Sequence, residues 1–242
     1  MSLLSWFSKT SPEAVIKKHA ARVANKRSYA PDRWDSIHAL AALRSEAAVA
    51  ALLPRFTYRV DPSITDQEEK DAVFRAIVDC GEVAVAPLRD ALQRDAQIAW
   101  PLKCLEAVLS TALLCTELLA LLAAMEPEYE RDPQKKIQVI AALQGVQDTR
   151  IVTALQRFLS DPNETVRFTT VDALRAQANC SEAQPALLQL LKGEESVRVR
   201  RQLAEVMAQH AFDLRAEAAA LRSHLPEGFV INAKGHVQVA RR

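Results

Sequence analysis

Apolar positions in the second half of the chain recur with the period of an α-helix. In KKIQVIAAL (residues 135–143) and VRFTTVDAL (residues 166–174), apolar or small residues occupy positions i, i+3, i+5 and i+6, which fits one buried stripe of a helix. A looser copy ends at Val206, so that successive copies lie 31 and 32 residues apart. This spacing predicts a structural repeat rather than one long helix.

A second apolar pattern of helical period follows each of these segments. Because two helices then make up each repeat, and one pair cannot bury both of its apolar faces alone, neighbouring pairs are expected to stack. The apolar positions of the second helix recur 32 residues later: Ala154, Leu155, Phe158 and Leu159 return as Ala186, Leu187, Leu190 and Leu191.

Helix-start signals support the same division. In Asp161-Pro162-Asn163-Glu164 we expect Asp161 at the N-cap and Pro162 at the first helical position, where its missing N–H costs nothing. Asp132-Pro133 repeats the device one unit earlier. Two further capping boxes are predicted. Thr65 with Glu68 opens a helix at about 66–79, and Ser181 with Gln184 opens one at about 182–192.

The segment DPNETVR (residues 161–167), followed by Ala173-Leu174, resembles the HEAT-repeat signature of a turn Asp, a Val-Arg pair and an Ala-Leu pair. It is similar to the short variety also known from phycobilisome-lyase-like proteins. In the next copy, Val197-Arg198 supplies the Val-Arg pair, which places Arg198 at the conserved arginine's position in the signature. The resemblance covers residues 130–210. It implies an all-α fold, an α-solenoid of the armadillo type (a HEAT-like superhelix), in which Asp and Arg of neighbouring repeats pair along one edge.

The helix-pair rhythm extends towards the N-terminus and gives about six pairs in all. Earlier pairs are predicted at 33–44 with 46–56, 66–79 with 82–94, and 97–109 with 111–125. After the last pair, the β-prone runs 229–232 and 236–239 around Gly235 predict a short C-terminal β-hairpin, which packs on the last helix pair or against a strand of another chain. The predicted domains are an apolar, basic segment with a capping helix (1–32), the HEAT-like solenoid (33–225) and the hairpin tail (226–242).

Composition and charge narrow the class of protein. The 242 residues are 49% apolar and 25% charged, with a net charge of +1, which argues against a chain built as a whole to coat nucleic acid. No segment is long and apolar enough to predict a membrane span. The four cysteines have no CxxC pairing and are expected to be small buried residues in a reducing compartment, so that we expect a cytoplasmic protein: Cys80, Cys104, Cys115 and Cys180.

Catalytic motifs are missing from the sequence. There is no phosphate-binding Gly-rich loop, no HExxH and no GxSxG, and the five histidines are scattered without metal-ligand spacing. We therefore expect no enzyme activity, no cofactor and no metal.

The preferred hypothesis is a protein–protein interaction scaffold. In a HEAT-like stack the second helices line the concave face, so polar residues on those helices are the candidates for contact with a partner protein. The candidates on the second helices are Arg89, Gln93, Gln156, Arg157 and Gln189. Two arginines on the sixth pair, Arg200 and Arg201, are added because the sequence suggests no internal role for them.

Two other functions stay open at this stage. One is nucleic-acid binding through residues 198–201 and the basic first helix, by resemblance to the HEAT-like alkylpurine glycosylases. The alternative interpretation of the first helix is that its cations form a solvated face. The other is an accessory, lyase-like role on a cofactor. The candidate anion contacts of the first helix are Lys17, Lys18, Arg22, Lys26 and Arg27.

The apolar opening of the chain also has two interpretations. Leu3, Leu4, Trp6 and Phe7 either fold back on the first repeat or make a peripheral contact with a membrane or a partner groove.

Overall fold

The computed structural model describes residues 12–240, which form α-helices, several prolonged by a 3₁₀ turn, and one small hairpin. The prediction of an all-α fold with a short C-terminal β-hairpin is confirmed. The elements are α1 (Pro12–Ala24), α2 (Ala30–Ala41), α3 (Glu46–Leu52), α4 (Ser63–Val78), α5 (Val85–Arg94), α6 (Ala99–Val108), α7 (Thr111–Ala123), α8 (Gln134–Ala142), α9 (Thr149–Leu155), α10 (Glu164–Arg175), α11 (Gln184–Gly193), α12 (Val197–Gln209), α13 (Ala218–Leu221), β1 (Phe229–Ile231) and β2 (Val237–Val239).

The chain forms two compact units, one ending at Ser110 and the other beginning at Thr111. The division falls between α6 and α7, inside the third predicted helix pair. The predicted partition into residues 1–32, 33–225 and 226–242 stays a prediction. The apolar opening, with Leu3, Leu4, Trp6 and Phe7, lies outside the described residues.

In the first unit, alternate helices pack in two layers. Helices α2, α4 and α6 lie side by side, and α3 and α5 form the second layer against them. Helix α1 packs on α2 and α3 and buries Val23 completely between them. The ring of Trp100 stacks on Phe56, with centroids 4.9 Å apart, so the first residues of α6 are fixed to the turn that follows α3.

The second unit repeats this arrangement. Helices α8, α10 and α12 form one layer, while α7, α9 with its 3₁₀ extension, and α11 form the other. Leu143 and Leu174, and likewise Leu155 and Leu187, are fully buried at matching places, which confirms the sequence overlay. The sixth pair differs, because only the single turn of α13 follows α12 before the chain enters the hairpin.

The hairpin packs on α12. Its strands are antiparallel, with Val230 opposite Gln238, and Val237 turns inward and is buried. The turn is fixed by the Leu214 N–H, which donates to the carbonyl of Gly235 at 2.9 Å. Gly235 has φ +84°, a conformation that favours glycine, as the sequence predicts for the turn.

The cap predicted at Asp161 is wrong by two residues. Helix α10 begins at Glu164, and the side-chain oxygen of Asn163 accepts the N–H groups of Thr165 and Val166. Asp161 does not serve as the cap, because its carboxylate is buried and accepts a hydrogen bond from Lys136.

The two predicted capping boxes are also wrong. Thr65 lies inside α4, which begins at Ser63 after Pro62. Ser181 lies in the 3₁₀ turn Cys180–Ala183, and α11 begins only at Gln184, where Pro185 provides a favourable first turn. In both cases a nearby proline sets the helix start more strongly than the hydroxyl does.

Candidate functional site

A ladder of ion pairs joins the turns of the second unit. We use the term ladder for the cations in the first turns of α8 and α10 together with their acidic partners. The Arg167 guanidinium binds Glu194 in a bidentate pair, with N–O distances of 2.7 and 2.8 Å, and its third nitrogen donates to the carbonyls of Asp161 and Pro162. Glu194 belongs to the turn before α12, so this pair ties one repeat to the next.

Electrostatics keep Glu194 ionised. Burial alone raises the pKa of its carboxyl group, but hydrogen bonds from Arg167 and from the Ser196 N–H outweigh burial and lower the pKa. The side chain of Glu194 is 1% exposed and that of Arg167 is 18% exposed. The charges of Arg167 and Glu194 therefore compensate each other.

Lys136 and Asp161 form the previous rung of the ladder. Their side chains are each 1% exposed, and the Lys136 ammonium lies 2.8 Å from the Asp161 carboxylate. The other oxygen of Asp161 accepts the Asn163 N–H at 2.8 Å. Glu194 accepts the Ser196 N–H in the same way, so Asp161 and Glu194 hold equivalent places 33 residues apart.

The prediction that Arg198 holds the signature's arginine position is wrong, because Arg200 holds the place on α12 that Arg167 holds on α10. The sequence offers two registers because VRVR (197–200) contains the Val-Arg pair twice. Val199 is fully buried like Val166, whereas Val197 is 71% exposed. The second Val-Arg pair therefore matches the pair in α10.

Arg200 has an internal role that the sequence does not reveal. Its guanidinium donates to the carbonyl of His224 at 2.9 and 3.1 Å. This contact joins α12 to the segment that follows α13. Arg198 instead places its guanidinium over the ring of Phe168, 3.7 Å from the centroid. It also lies 4.0 Å from Glu164.

The first unit contains the same device. Arg33, the fourth residue of α2, pairs bidentately with Glu69 at 2.7 and 2.8 Å and donates to the carbonyl of Ser28. Arg55 shares Glu69 and also binds Asp66 at 2.8 Å. All four side chains of this network are buried or nearly so.

Asp66 remains a carboxylate within this network. Burial raises the pKa of Asp66, but hydrogen bonds from Lys70, from Arg55 and from the Val60 N–H outweigh burial and lower it to about 2.

The second helices of the second unit leave a groove between α9 and α11. This α9–α11 groove has a volume of about 570 Å³. It ends at the ladder pair of Arg167 and Glu194. Apolar side chains and two amides face it: Leu159, Pro162, Ala186, Leu190, Gln156 and Gln189. The structure therefore brings together the predicted contact residues Gln156 and Gln189.

A second groove lies on the other side of α9. This α7–α9 groove has a volume of about 520 Å³ and is lined by Leu119 and Ala154 among others, with Arg157 at its border. Arg157 donates to the carbonyl of Leu122 at 2.6 Å and lies 3.3 Å from Glu126, so it also braces α7 against the end of α9. We define the second-helix face as the surface of α7, α9 and α11 that carries these two grooves.

The other predicted contact residues lie elsewhere. Arg89 and Gln93 are exposed on α5 of the first unit. Arg200 and the exposed Arg201, which pairs with Glu205 at 3.2 Å, lie on α12 in the other layer. Their role in partner binding stays a prediction. Arg150 and Thr153 also line the α7–α9 groove but are not among the predicted contacts, although they lie on α9, whose 3₁₀ extension carries the predicted residues 156 and 157.

The described residues hold little that suggests reaction chemistry. Over residues 12–240, no three His, Cys, Asp or Glu side chains come together in an arrangement that would hold a metal ion. The cysteines are unpaired, and burial raises the pKa of Cys104 to about 12 and of Cys180 to about 11, which keeps both as thiols. None of the helices in this range combines the length and apolar character needed to cross a bilayer.

Comparison with known proteins agrees with the geometry of the ladder and of the helix pairs. The family model for HEAT repeats matches residues 118–208, which run from α7 to α12. No curated protein and no solved structure matches the chain. The similarity to the lyase-like variety is not confirmed by this match and stays a prediction. The segment 118–208 therefore carries HEAT repeats, in agreement with its paired helices and its ladder.

Proposed function

We propose that this protein is a non-catalytic interaction scaffold that binds a peptide segment of a partner protein along the second-helix face. HEAT repeats are commonly protein-interaction scaffolds, and proteins built from them are typically non-enzymatic. The observation that carries the proposal is the pair of grooves, which flank α9 and run between successive second helices.

The lining of the α9–α11 groove suits a peptide. Its apolar floor of Leu159, Ala186 and Leu190 offers a place for an apolar side chain, while Gln156 and Gln189 each provide an amide donor and acceptor. Neither amide has a hydrogen-bond partner among residues 12–240. Both amides are therefore available to pair with the backbone of a bound segment.

The ladder supports this role by fixing the groove. Arg167 and Glu194 close one end of it, and both are held by hydrogen bonds within the unit. A preformed groove loses less entropy on binding than one that must be ordered first.

The proposal includes a cytoplasmic location. Its support is the set of four cysteines, none of which forms a disulfide. Three of them are buried and Cys80 is half-buried, and unpaired thiols of this kind are typical of reducing compartments.

The test is to fill the α9–α11 groove and follow a partner. Gln189 is exposed in the groove, so Gln189→Trp blocks it without disturbing the core. Gln209→Trp, at an exposed position on α12 in the other layer, is the matched control. Co-purification from the native host should yield a partner with the unmodified protein and with the control but not with Gln189→Trp. A partner that is retained by all three proteins argues against this face.

A further inference from the structure

The side of α1 that does not pack on α2 and α3 is cationic. Val23 is buried and Ile16 half-buried against α2 and α3, and the Nδ1 of His19 lies 3.0 Å from the hydroxyl of Ser36 in α2. These contacts fix which side of α1 is turned inward. The opposite side of α1 and the following loop carry Lys17, Lys18, Arg22, Lys26 and Arg27.

The five cations are not neutralised locally. None of them forms an ion pair with any residue between 12 and 240. Glu13 is the acidic residue of α1, and Asp32 and Asp35 follow on α2, so the surrounding charge is positive even when these acids are counted. Burial is the main cause that lowers the pKa of His19, and the positive charges of Lys18 and Arg22 lower it further.

An exposed aromatic side chain adjoins this charge. Tyr29 is 72% exposed in the loop between α1 and α2, directly after the cations of that loop. Tyrosine beside lysine and arginine is typical of segments that lie at a membrane interface. In the sequence, the apolar residues Leu3, Leu4, Trp6 and Phe7 come shortly before α1.

These features favour a lipid surface over nucleic acid. The chain has a net charge of only +1, whereas strong binding along a nucleic-acid backbone draws on many clustered cations. The strength of peripheral membrane binding grows with two contributions, the attraction of a basic patch to anionic lipids and the burial of apolar surface. The patch on α1 provides the first, and the exposed ring of Tyr29 provides the second.

We propose that the cationic face of α1, with Tyr29, docks this protein on an anionic phospholipid surface. This site is independent of the second-helix face in the other unit. A scaffold of this kind therefore presents its bound partner at a membrane.

Vesicle flotation tests the proposal on the full-length chain. The vesicles are neutral phosphatidylcholine alone, or phosphatidylcholine with about a third of phosphatidylserine, which gives the surface its negative potential. The variants are Lys17→Glu/Lys18→Glu and Tyr29→Ser, all at exposed positions. The charge-matched control is Arg222→Glu/Lys234→Glu, which changes two exposed cations in the second unit. A short duplex DNA is tested with the same proteins.

We expect binding to the anionic vesicles alone, weakening as salt is raised. The Lys17→Glu/Lys18→Glu variant should bind at least about 25-fold more weakly, since each basic residue near such a surface contributes about fivefold. Tyr29→Ser should bind more weakly as well, and the control should match the unmodified protein. Equal binding by the α1 variant and the control overturns the proposal. So does failure to bind anionic vesicles at low salt, or binding of DNA more tightly than of vesicles.

Discussion

Glu194 is the residue through which two repeats of the second unit hold each other. It compensates the charge of Arg167 and accepts the N–H of Ser196 at the start of α12. Removing one member of such a buried pair leaves the other charge without a partner in a poorly solvated place. The ladder is therefore expected to be sensitive to single substitutions, although each rung lies at the edge of the apolar core.

The substitution Glu194→Gln tests this sensitivity. It should reduce the stability of α10 and α12 by about 3 kcal/mol, because Arg167 loses its counter-charge. Hydrogen exchange of the amides of α10 and α12, measured in increasing urea, reports this loss. Glu195→Gln is the control, since Glu195 is exposed and should change stability by no more than about 0.5 kcal/mol. Equal effects of the two substitutions would contradict this account of the ladder.

Asp66 makes the first unit sensitive to acid. Its folded-state pKa of about 2 lies below the ordinary value of 3.8, so its contribution is complete above pH 3.8 and is lost as the pH falls towards 2. Asp66→Asn should lower the free energy of unfolding by about 3 kcal/mol at pH 5. Its difference from the unmodified protein should shrink as the pH approaches 2.

Tryptophan fluorescence during urea unfolding measures this difference, because Trp34 and Trp100 both lie in the first unit. Asp79→Asn, at an exposed carboxylate, should behave like the unmodified protein at every pH. A difference between Asp66→Asn and the unmodified protein that does not change with pH would be inconsistent with a titrating Asp66.

At the scale of single residues, the sequence predicts core positions better than polar partners. Leu174 and Leu187 are identifiable because apolar periodicity reports burial directly. The cap at Asn163 and the partners of Asp161 and Arg200 are not, because each depends on a group 24 to 25 residues away, the Lys136 side chain or the His224 carbonyl, or on competition between neighbouring acceptors. The spacing of 33 residues between Asp161 and Glu194 is the signal that would have identified Glu194 as a member of the ladder.

At the scale of elements, helix type is predictable and helix register is less so. The duplicated Val-Arg in residues 197–200 permits two alignments that differ by two positions. The structure selects the one in which Val199 is buried and Ser196 caps the helix by accepting the Val199 N–H. The cap is local, but the burial of Val199 depends on packing against the rest of the unit, which the local sequence does not report.

The hairpin turn provides a prediction at this scale. A Cβ at Gly235 would collide with the side chain and backbone nitrogen of Arg215, in addition to the strain of φ +84°. Gly235→Ala should therefore destabilise the hairpin by about 1–2 kcal/mol or more and speed exchange of the Leu214 amide, which is bonded to the Gly235 carbonyl. Gly145→Ala, where a Cβ meets open space, should leave that exchange unchanged. Unchanged exchange in Gly235→Ala would show that the turn is not fixed as described.

At the scale of the molecule, both units contain the same kind of arginine–glutamate ion pair at the start of a first helix. Arg33 in the first unit and Arg167 in the second are each the fourth residue of a first helix, and each binds a glutamate bidentately and a carbonyl of the preceding loop. The sequence resemblance reaches only the second unit. The first unit forms the same kind of ion pair without the sequence motif of the second unit, because the ion pair needs a geometry and not a fixed set of neighbouring residues.

The proposed function uses the surface between the second helices of the second unit. Polar residues on second helices are predictable as candidates from the repeat alone, and Gln156 and Gln189 do share one groove. Which candidates lie together is not predictable, because Arg157 turns to the other side of α9.

Site-specific photocrosslinking in the native host reports whether a partner protein lies in the α9–α11 groove. A photoreactive amino acid replaces Gln189 in the α9–α11 groove or, as the control, Gln209 on the opposite layer. The account predicts that one partner protein is crosslinked from position 189 and not from position 209. Crosslinks to that partner only from position 209, or none from position 189 while the partner still co-purifies, would contradict binding along the second-helix face.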